Sequence, residues 1–158
     1  MPRGAKAQIV SVAVLVAAVD QLTKRWALEV LDDQTIDLVW TLRLRLLFNK
    51  GSAFGFGSRF TPLITLLAIA TVIFFFRKGA MLEQKWPRVA IALIVGGALG
   101  NLIDRLFRPG GGFMGGAVVD FFDLQWWPVF NVADIAISIG AVLLVLVSAT
   151  EAKEIDKT

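Results

Sequence analysis

The stretch Val89-Ala-Ile-Ala-Leu-Ile-Val-Gly-Gly-Ala-Leu-Gly-Asn-Leu-Ile-Asp-Arg105 decides how the chain is read. It starts as an uninterrupted run of apolar and small residues and ends on Asn101, Asp104 and Arg105. A helix needs about 20 residues to cross ~30 Å of hydrocarbon. The run reaches that length only if its polar end is included, and that end must then face protein or water. Three further apolar blocks flank it: Ile9 to about Leu28, interrupted by Asp20 and Lys24, then Phe60 to Phe76 and Val132 to Val147. The pattern predicts a single membrane-embedded domain over 1–158, an all-α polytopic membrane protein with transmembrane helices at approximately 9–28, 60–76, 88–105 and 131–149. Arg3 and Lys6 before an apolar run, with Ala17 and Ala18 behind it, imitate a cleavable signal peptide. The three later spans favour an uncleaved first helix.

Composition narrows the chemistry. Of 158 residues, 56% are hydrophobic and 18% charged, and there is no histidine, cysteine or tyrosine. Histidine- and cysteine-dependent nucleophile systems, Cys/His zinc sites and disulfides are thereby excluded. Acid–base work near neutral pH falls to carboxylates or lysines, and no metal or cofactor is expected. The net charge of +3 does not indicate nucleic acid, because the basic residues punctuate apolar blocks instead of forming a stripe.

Four spans place both termini on one side. Basic residues are equally numerous on the two sides, but Arg3, Lys6, Arg77, Lys78, Lys85 and Arg88 lie in short segments close to span ends. The positive-inside rule is strongest there, so termini and the 77–88 loop are expected in the cytoplasm. Leu31 to Arg59 and Leu106 to Phe130 are then external. Within the first, Thr41-Leu42-Arg43-Leu44-Arg45-Leu46 alternates with period two, predicting a small external β-sheet between helices 1 and 2, its strands at approximately 35–49. Its leucines would face lipid or helix ends and its arginines water or phosphates.

The acids collect at one end. Asp20, Asp104, Asp120, Asp123 and Asp134 all fall at or beyond the external ends of spans. Asp20 and Lys24 share a helix face, and Asn101, Asp104 and Arg105 are expected to share one with Gly97, Arg105 pairing with Asp104. Asn131, Asp134 and Ser138 line the start of the fourth span, where Asn131 suits an N-cap. Structural ion pairs and close helix approach at Gly96, Gly97 and Gly100 account for much of this. Asp120, within Val118-Val119-Asp120-Phe121-Phe122, and Asp134 are harder to dismiss, because neither has a cation at helical spacing. A lone buried carboxylate is costly. Two brought together can share one proton and act as an acid–base pair on a scissile carbonyl.

The same residues carry a family resemblance. Asp20-Gln21-Leu22-Thr23-Lys24, Asn49-Lys50-Gly51-Ser52-Ala53-Phe54, Gly96 through Arg105, Val118-Val119-Asp120-Phe121 and Phe130-Asn131-Val132-Ala133-Asp134 resemble, in order and spacing, the blocks of lipoprotein signal peptidases, the type II signal peptidases of bacteria. The resemblance implies an aspartic endopeptidase at the outer face of the bacterial cytoplasmic (inner) membrane. Its substrates would be diacylglyceryl-modified prolipoproteins, cut just before the lipidated cysteine. Asp120 and Asp134 would be the catalytic pair. Asp20, Lys24, Asn49, Gly51, Gly97, Asn101, Asp104, Arg105 and Asn131 would support substrate and site. Membrane lipid and a globomycin-type peptide inhibitor are the implied partners. The glycine-rich 109–116 loop is longer than is usual in the family and reads as a surface linker.

With Asn131 as cap, the helix dipole favours an ionised Asp134, leaving Asp120 to hold the shared proton. Phe54 and Phe56 among glycines suggest a lid, and Trp126 and Trp127 an interfacial belt. Two rivals need no histidine: a Ser–Lys peptidase using Ser52 with Lys50 or Lys24, and a small proton-coupled carrier or lipid-binding protein using the aspartates as proton sites.

Overall fold

In the computed structural model, which describes residues 3–51, 61–109 and 114–155, apolar helices alternate with short strands. Their order is α1 (Arg3–Val30), β1 (Ile36–Val39), β2 (Leu42–Asn49), α2 (Thr61–Gly79), α3 (Lys85–Phe107), β3 (Val118–Asp123) and α4 (Val132–Ile155). All four helices are long and apolar enough to cross a membrane. Large side chains such as Leu15, Leu67 and Val145 point outward with no protein over them. In water that surface would be an aggregation liability; in hydrocarbon it is matched to its solvent. The chain is a multi-pass membrane protein.

Helix α3 occupies the centre, packing against α1, α2 and α4. Its small residues explain how. The carbonyl oxygen of Ala133 and the side chain of Ile137, both on α4, fill the space where a Cβ on Gly97 would stand. Only glycine permits this approach, which brings the first turn of α4 against the polar end of α3. Pro87, in the first turn of α3, costs no helical hydrogen bond.

The sheet is antiparallel, ordered β1-β2-β3. The alternating Leu/Arg segment becomes β2, with Leu44 buried against Ala27 and Leu31 at the end of α1. The sheet is larger than the expected element between helices 1 and 2. Its third strand comes from the loop between α3 and α4, with Asn49 opposite Val118 and Arg43 opposite Asp123. Val118–Asp123 does not alternate because both of its faces are largely covered. Phe121 packs on Trp26 and Phe122 on Phe130, tying β3 to α1 and to the chain entering α4.

Candidate active site

Pairing β3 with β2, and seating α4 on α3, brings Asp120 and Asp134 to one place. Asn131 makes the junction. Its side-chain Oδ1 accepts from the Asp134 N–H at 3.0 Å, while its own N–H donates to Asp134 Oδ2 at 3.1 Å. This reciprocal arrangement is a capping box at the start of α4. The Asn131 Nδ2 donates to Asp120 Oδ1 at 2.6 Å and to Asn101 Oδ1 at 3.0 Å. From the far side, Asn49 Nδ2 donates to Asp120 Oδ2 at 2.9 Å, and Asn101 Nδ2 donates to Asp134 Oδ1 at 2.9 Å. Each of the four carboxylate oxygens therefore accepts an N–H. Among the described residues no hydrogen bond joins the two carboxylates directly. Neutral amides hold them side by side without adding charge.

Asp120 is buried in β3, and burial pushes its carboxyl up to about 7. The Asn49 hydrogen bond opposes that rise and the nearby Asp134 charge adds to it. Burial therefore favours the protonated form of Asp120.

Behind the pair lies a buried ionic knot. Lys24, with no exposed surface, donates to Asp20 Oδ2 at 2.8 Å, Asp104 Oδ2 at 2.9 Å and Asn101 Oδ1 at 2.9 Å. All three ammonium hydrogens are used. Because Asn101 Oδ1 faces this cation, its amide nitrogen is left to point at Asp134. Lys24 thereby orients the donor to Asp134. Asp20 also reaches α4, where its Oδ1 accepts from the Ala133 N–H at 2.9 Å and caps that helix from α1.

Arg105 departs from expectation. Asp104 pairs with Lys24 and, at 2.8 Å, with Arg108 one turn on, not with Arg105. Adjacent helical residues point about 100° apart, so neighbours in sequence do not share a face. Arg105 turns toward Gly51 and the aspartate pair, and its buried Nη1 has no partner among the described residues. Gly51, at φ 77°, takes the left-handed turn that leads the chain off β2, its N–H donating to Asn49 Oδ1 at 2.9 Å.

Several participants were not anticipated. Gln21 Nε2 donates to the Gly100 carbonyl at 3.0 Å and to Asp104 at 3.3 Å. Buried Thr65 donates to the Met114 carbonyl at 2.8 Å, and buried Thr61 to that of Lys50. For Gln21 the available signal was its place beside Asp20 on a lipid-embedded helix; the two threonines begin an apolar helix and look like ordinary caps. Ser52, Phe54 and Phe56, as well as 110–113 of the glycine-rich loop, lie outside the described residues.

Two clefts lie beside the pair. A groove of about 800 Å³ with mixed polar and apolar walls runs from Asn49, whose side chain holds Asp120, past Gly51 and Arg105 along β2 to Arg43 and Arg45, with Trp127 and Pro128 on its other wall. An apolar cleft of about 420 Å³, between Trp126, Trp127 and Phe130 and the α4 residues Ile135, Ser138 and Ile139, ends on Asp134. No cluster of residues suited to holding a metal ion occurs among the described residues. Two carboxylates held together by neutral amides among membrane-spanning helices are the arrangement an aspartic hydrolase needs.

Comparison with known proteins agrees. Residues 12–150 match the family described as signal peptidase (SPase) II. A lipoprotein signal peptidase of Rhodococcus jostii is 45% identical over 141 residues, covering 87% of this chain and 70% of that one. Its Mycobacterium avium counterpart is 42% identical over 142 residues, covering 89% and 78%. Two solved bacterial membrane enzymes superpose with TM-scores of 0.70, at 28% and 30% identity. They cover 94% and 89% of this chain, which in turn covers 91% and 92% of theirs. The chain belongs to the signal peptidase II family.

Proposed function

We propose that this protease removes the signal peptide from diacylglyceryl-modified prolipoproteins by aspartic catalysis, cutting before the lipidated cysteine. The observation that carries the catalytic assignment is the Asp120–Asp134 pair, with Asn49, Asn101 and Asn131 assigning one N–H donor to each carboxylate oxygen but one, and the Asn131 main-chain N–H serving the last. Asp134, at a helix N-terminus among N–H donors, is the ionised base and takes a proton from water as that water attacks the scissile carbonyl. Asp120 holds its proton and donates it toward the carbonyl oxygen. As the tetrahedral adduct collapses, the C–N bond breaks, Asp134 passes the proton it took from water to the departing amine of the cysteine, and Asp120 recovers its proton from the adduct's hydroxyl. The two carboxyls then return to one proton between them.

The groove along β2, which starts at Asn49 beside Asp120, supports passage of the peptide. The apolar cleft ending on Asp134 supports approach of the lipid-bearing end from within the membrane. Asp20, Lys24 and Asp104 act by positioning. Arg105, which lines the groove with Asn49 and Gly51 and whose Nη1 has no partner among the described residues, serves substrate carbonyls. Termini in the cytoplasm and the site at the external face follow from the basic residues at span ends. The carrier reading is not favoured.

Purified chain is incubated with a diacylated lipobox peptide and with its unlipidated twin. Cleavage before the cysteine of the lipidated peptide alone is expected, and is abolished by Asp134→Asn. Cleavage elsewhere, or equal cleavage of both peptides, overturns the assignment. Full activity in Ser52→Ala is the accompanying expectation that separates this chemistry from a Ser–Lys peptidase. A globomycin-type peptide is expected to compete with the lipidated substrate.

A further inference from the structure

The groove along β2 is more than an exit. Arg43 and Arg45 both turn onto one acceptor, Asp123 Oδ2, at 2.9 and 3.0 Å, each through its Nε. Asp123 itself is covered, and its other oxygen accepts from the Gln125 N–H at 2.7 Å. Each arginine thus spends its inner nitrogen on anchorage and keeps its terminal nitrogens for something else. The arginine side chains remain about one-third and two-fifths open, at 32% and 43%. Two guanidiniums share one buried carboxylate, and although Asp37 stands opposite Arg43 on β1, no ion pair among the described residues takes up their terminal nitrogens. Gln125 closes that end by donating to the Thr41 carbonyl at 3.0 Å. The array is held in place from beneath and unsatisfied above, which is how a site for an anion is built.

Its distance from the pair fixes what the anion belongs to. Asn49 touches Asp120, and Arg45 and Arg43 lie four and six residues back along the same strand. At ~3.3 Å per residue their backbone positions lie about 13 and 20 Å along the strand from Asn49, slightly less across the bulge between Leu44 and Leu47. An extended peptide lying along β2 advances at the same pitch. Resting on the reading of the chain as a prolipoprotein peptidase, we infer that Arg43 and Arg45 form a subsite for an acidic side chain of the mature lipoprotein segment, four to six residues after the lipidated cysteine. The groove wall suits an extended chain: Leu47, Phe48 and Trp127 provide apolar flanks, with the charge confined to the far end. Basic segments at that position are disfavoured by the same charge, giving the enzyme a preference not set by the lipid or by residues at the cut.

The subsite is tested with three diacylated lipobox peptides that differ only at the fourth to sixth residues after cysteine, carrying Glu, Gln or Lys there. Cleavage is followed in zwitterionic bicelles, with the unmodified chain and with the double variant Arg43→Gln/Arg45→Gln. For the unmodified chain KM is expected to rise in the order Glu, Gln, Lys, spanning about three- to fivefold, the range of a half-exposed ion pair. The spread narrows at 0.5 M salt on the order expected from a Debye length of about 4–5 Å, and it collapses in the double variant. KM values independent of peptide charge in the unmodified chain overturn the subsite. So does a charge order that survives in the double variant. A rate that rises equally for all three peptides when phosphatidylglycerol is added, without any charge order, assigns the arginines to lipid phosphates and also overturns it. Failure to cut any of the three would instead fall on the peptidase reading itself.

Discussion

Lys24 with Asp20 and Asp104, and Arg43 and Arg45 with Asp123, are built from the same ingredients and do opposite things. In the first cluster Lys24 serves two carboxylates with every donor hydrogen used and no exposed surface, and Arg108 supplies a second cation to Asp104. In the second, two cations serve one carboxylate and the outer nitrogens are left over. Burial makes the difference. A charge taken out of water must be matched completely, so the Lys24 knot is left with nothing to offer a ligand and can only position its neighbours. The sheet arginines keep part of their hydration and can exchange water for a ligand.

The largest effect separates the reacting pair from both clusters. Asp134→Asn and Asp120→Asn are each expected to lower kcat for lipopeptide cleavage by about 10³-fold or more, while the folded protein persists in size-exclusion chromatography. The pair titrates as a unit, with Asp120 raised to about 7 by burial. The rate is therefore expected to decline on the alkaline side with an apparent pKa near that value, as Asp120 loses the proton it must donate. A flat profile from pH 6 to 9 would show that Asp120 is not the acid.

Next in size is the knot. Lys24→Met strands Asp20 without its cation, leaves Asp104 with Arg108 alone, and is expected to cost about 3–5 kcal/mol in unfolding in detergent. Asp20→Asn added to it should recover part of that loss by removing the stranded charge. Recovery of the fold need not restore rate, because Asn101 would no longer be held with its amide nitrogen toward Asp134. If the double variant regains both stability and full kcat, Lys24 serves the fold alone.

These contrasts were unequally legible in the sequence. The helices could be read from apolar length, and β2 from the strict alternation of Leu42 to Leu46, because bilayer thickness and strand pleat impose those patterns directly. Asp120 and Asp134 could be singled out as acids without local cations. What escaped was contact between distant segments. Nothing in Val118–Asp123 says that it pairs with β2, since covering both faces erases the alternation. Arg105 was matched to Asp104 because they are adjacent, whereas the helix sends them to different faces and gives Asp104 to Lys24 and Arg108. Gln21 gave no sign that it would reach across to the Gly100 carbonyl, a bond that depends on how closely α1 lies against α3.

The smallest expected effect tests the open cluster. Arg43, Arg45 and the Gln125 N–H outweigh the covering of Asp123, which acts in the other direction, and hold its carboxyl below the usual range. A carboxylate depressed in the folded state contributes stability that is present above its unfolded value, near 3.8, and lost as pH falls through the folded one. The window therefore lies at and below pH 4, far from the alkaline change at Asp120. With both arginines partly solvated, the contribution at neutral pH is expected to be no more than about 1 kcal/mol. Asp123→Asn should accordingly leave the unfolding midpoint at pH 7 within a few degrees of the unmodified chain and merge with it as pH falls through the folded carboxyl's depressed value. Its effect on peptide selection runs the other way. Without the central carboxylate the two guanidiniums gain net charge but lose the anchor that aligns them. Tighter binding of acidic peptides by Asp123→Asn would show that charge governs the groove, and weaker binding that alignment does. The buried knot allows no such choice, because there an unmatched charge destabilises the fold before it can bind anything.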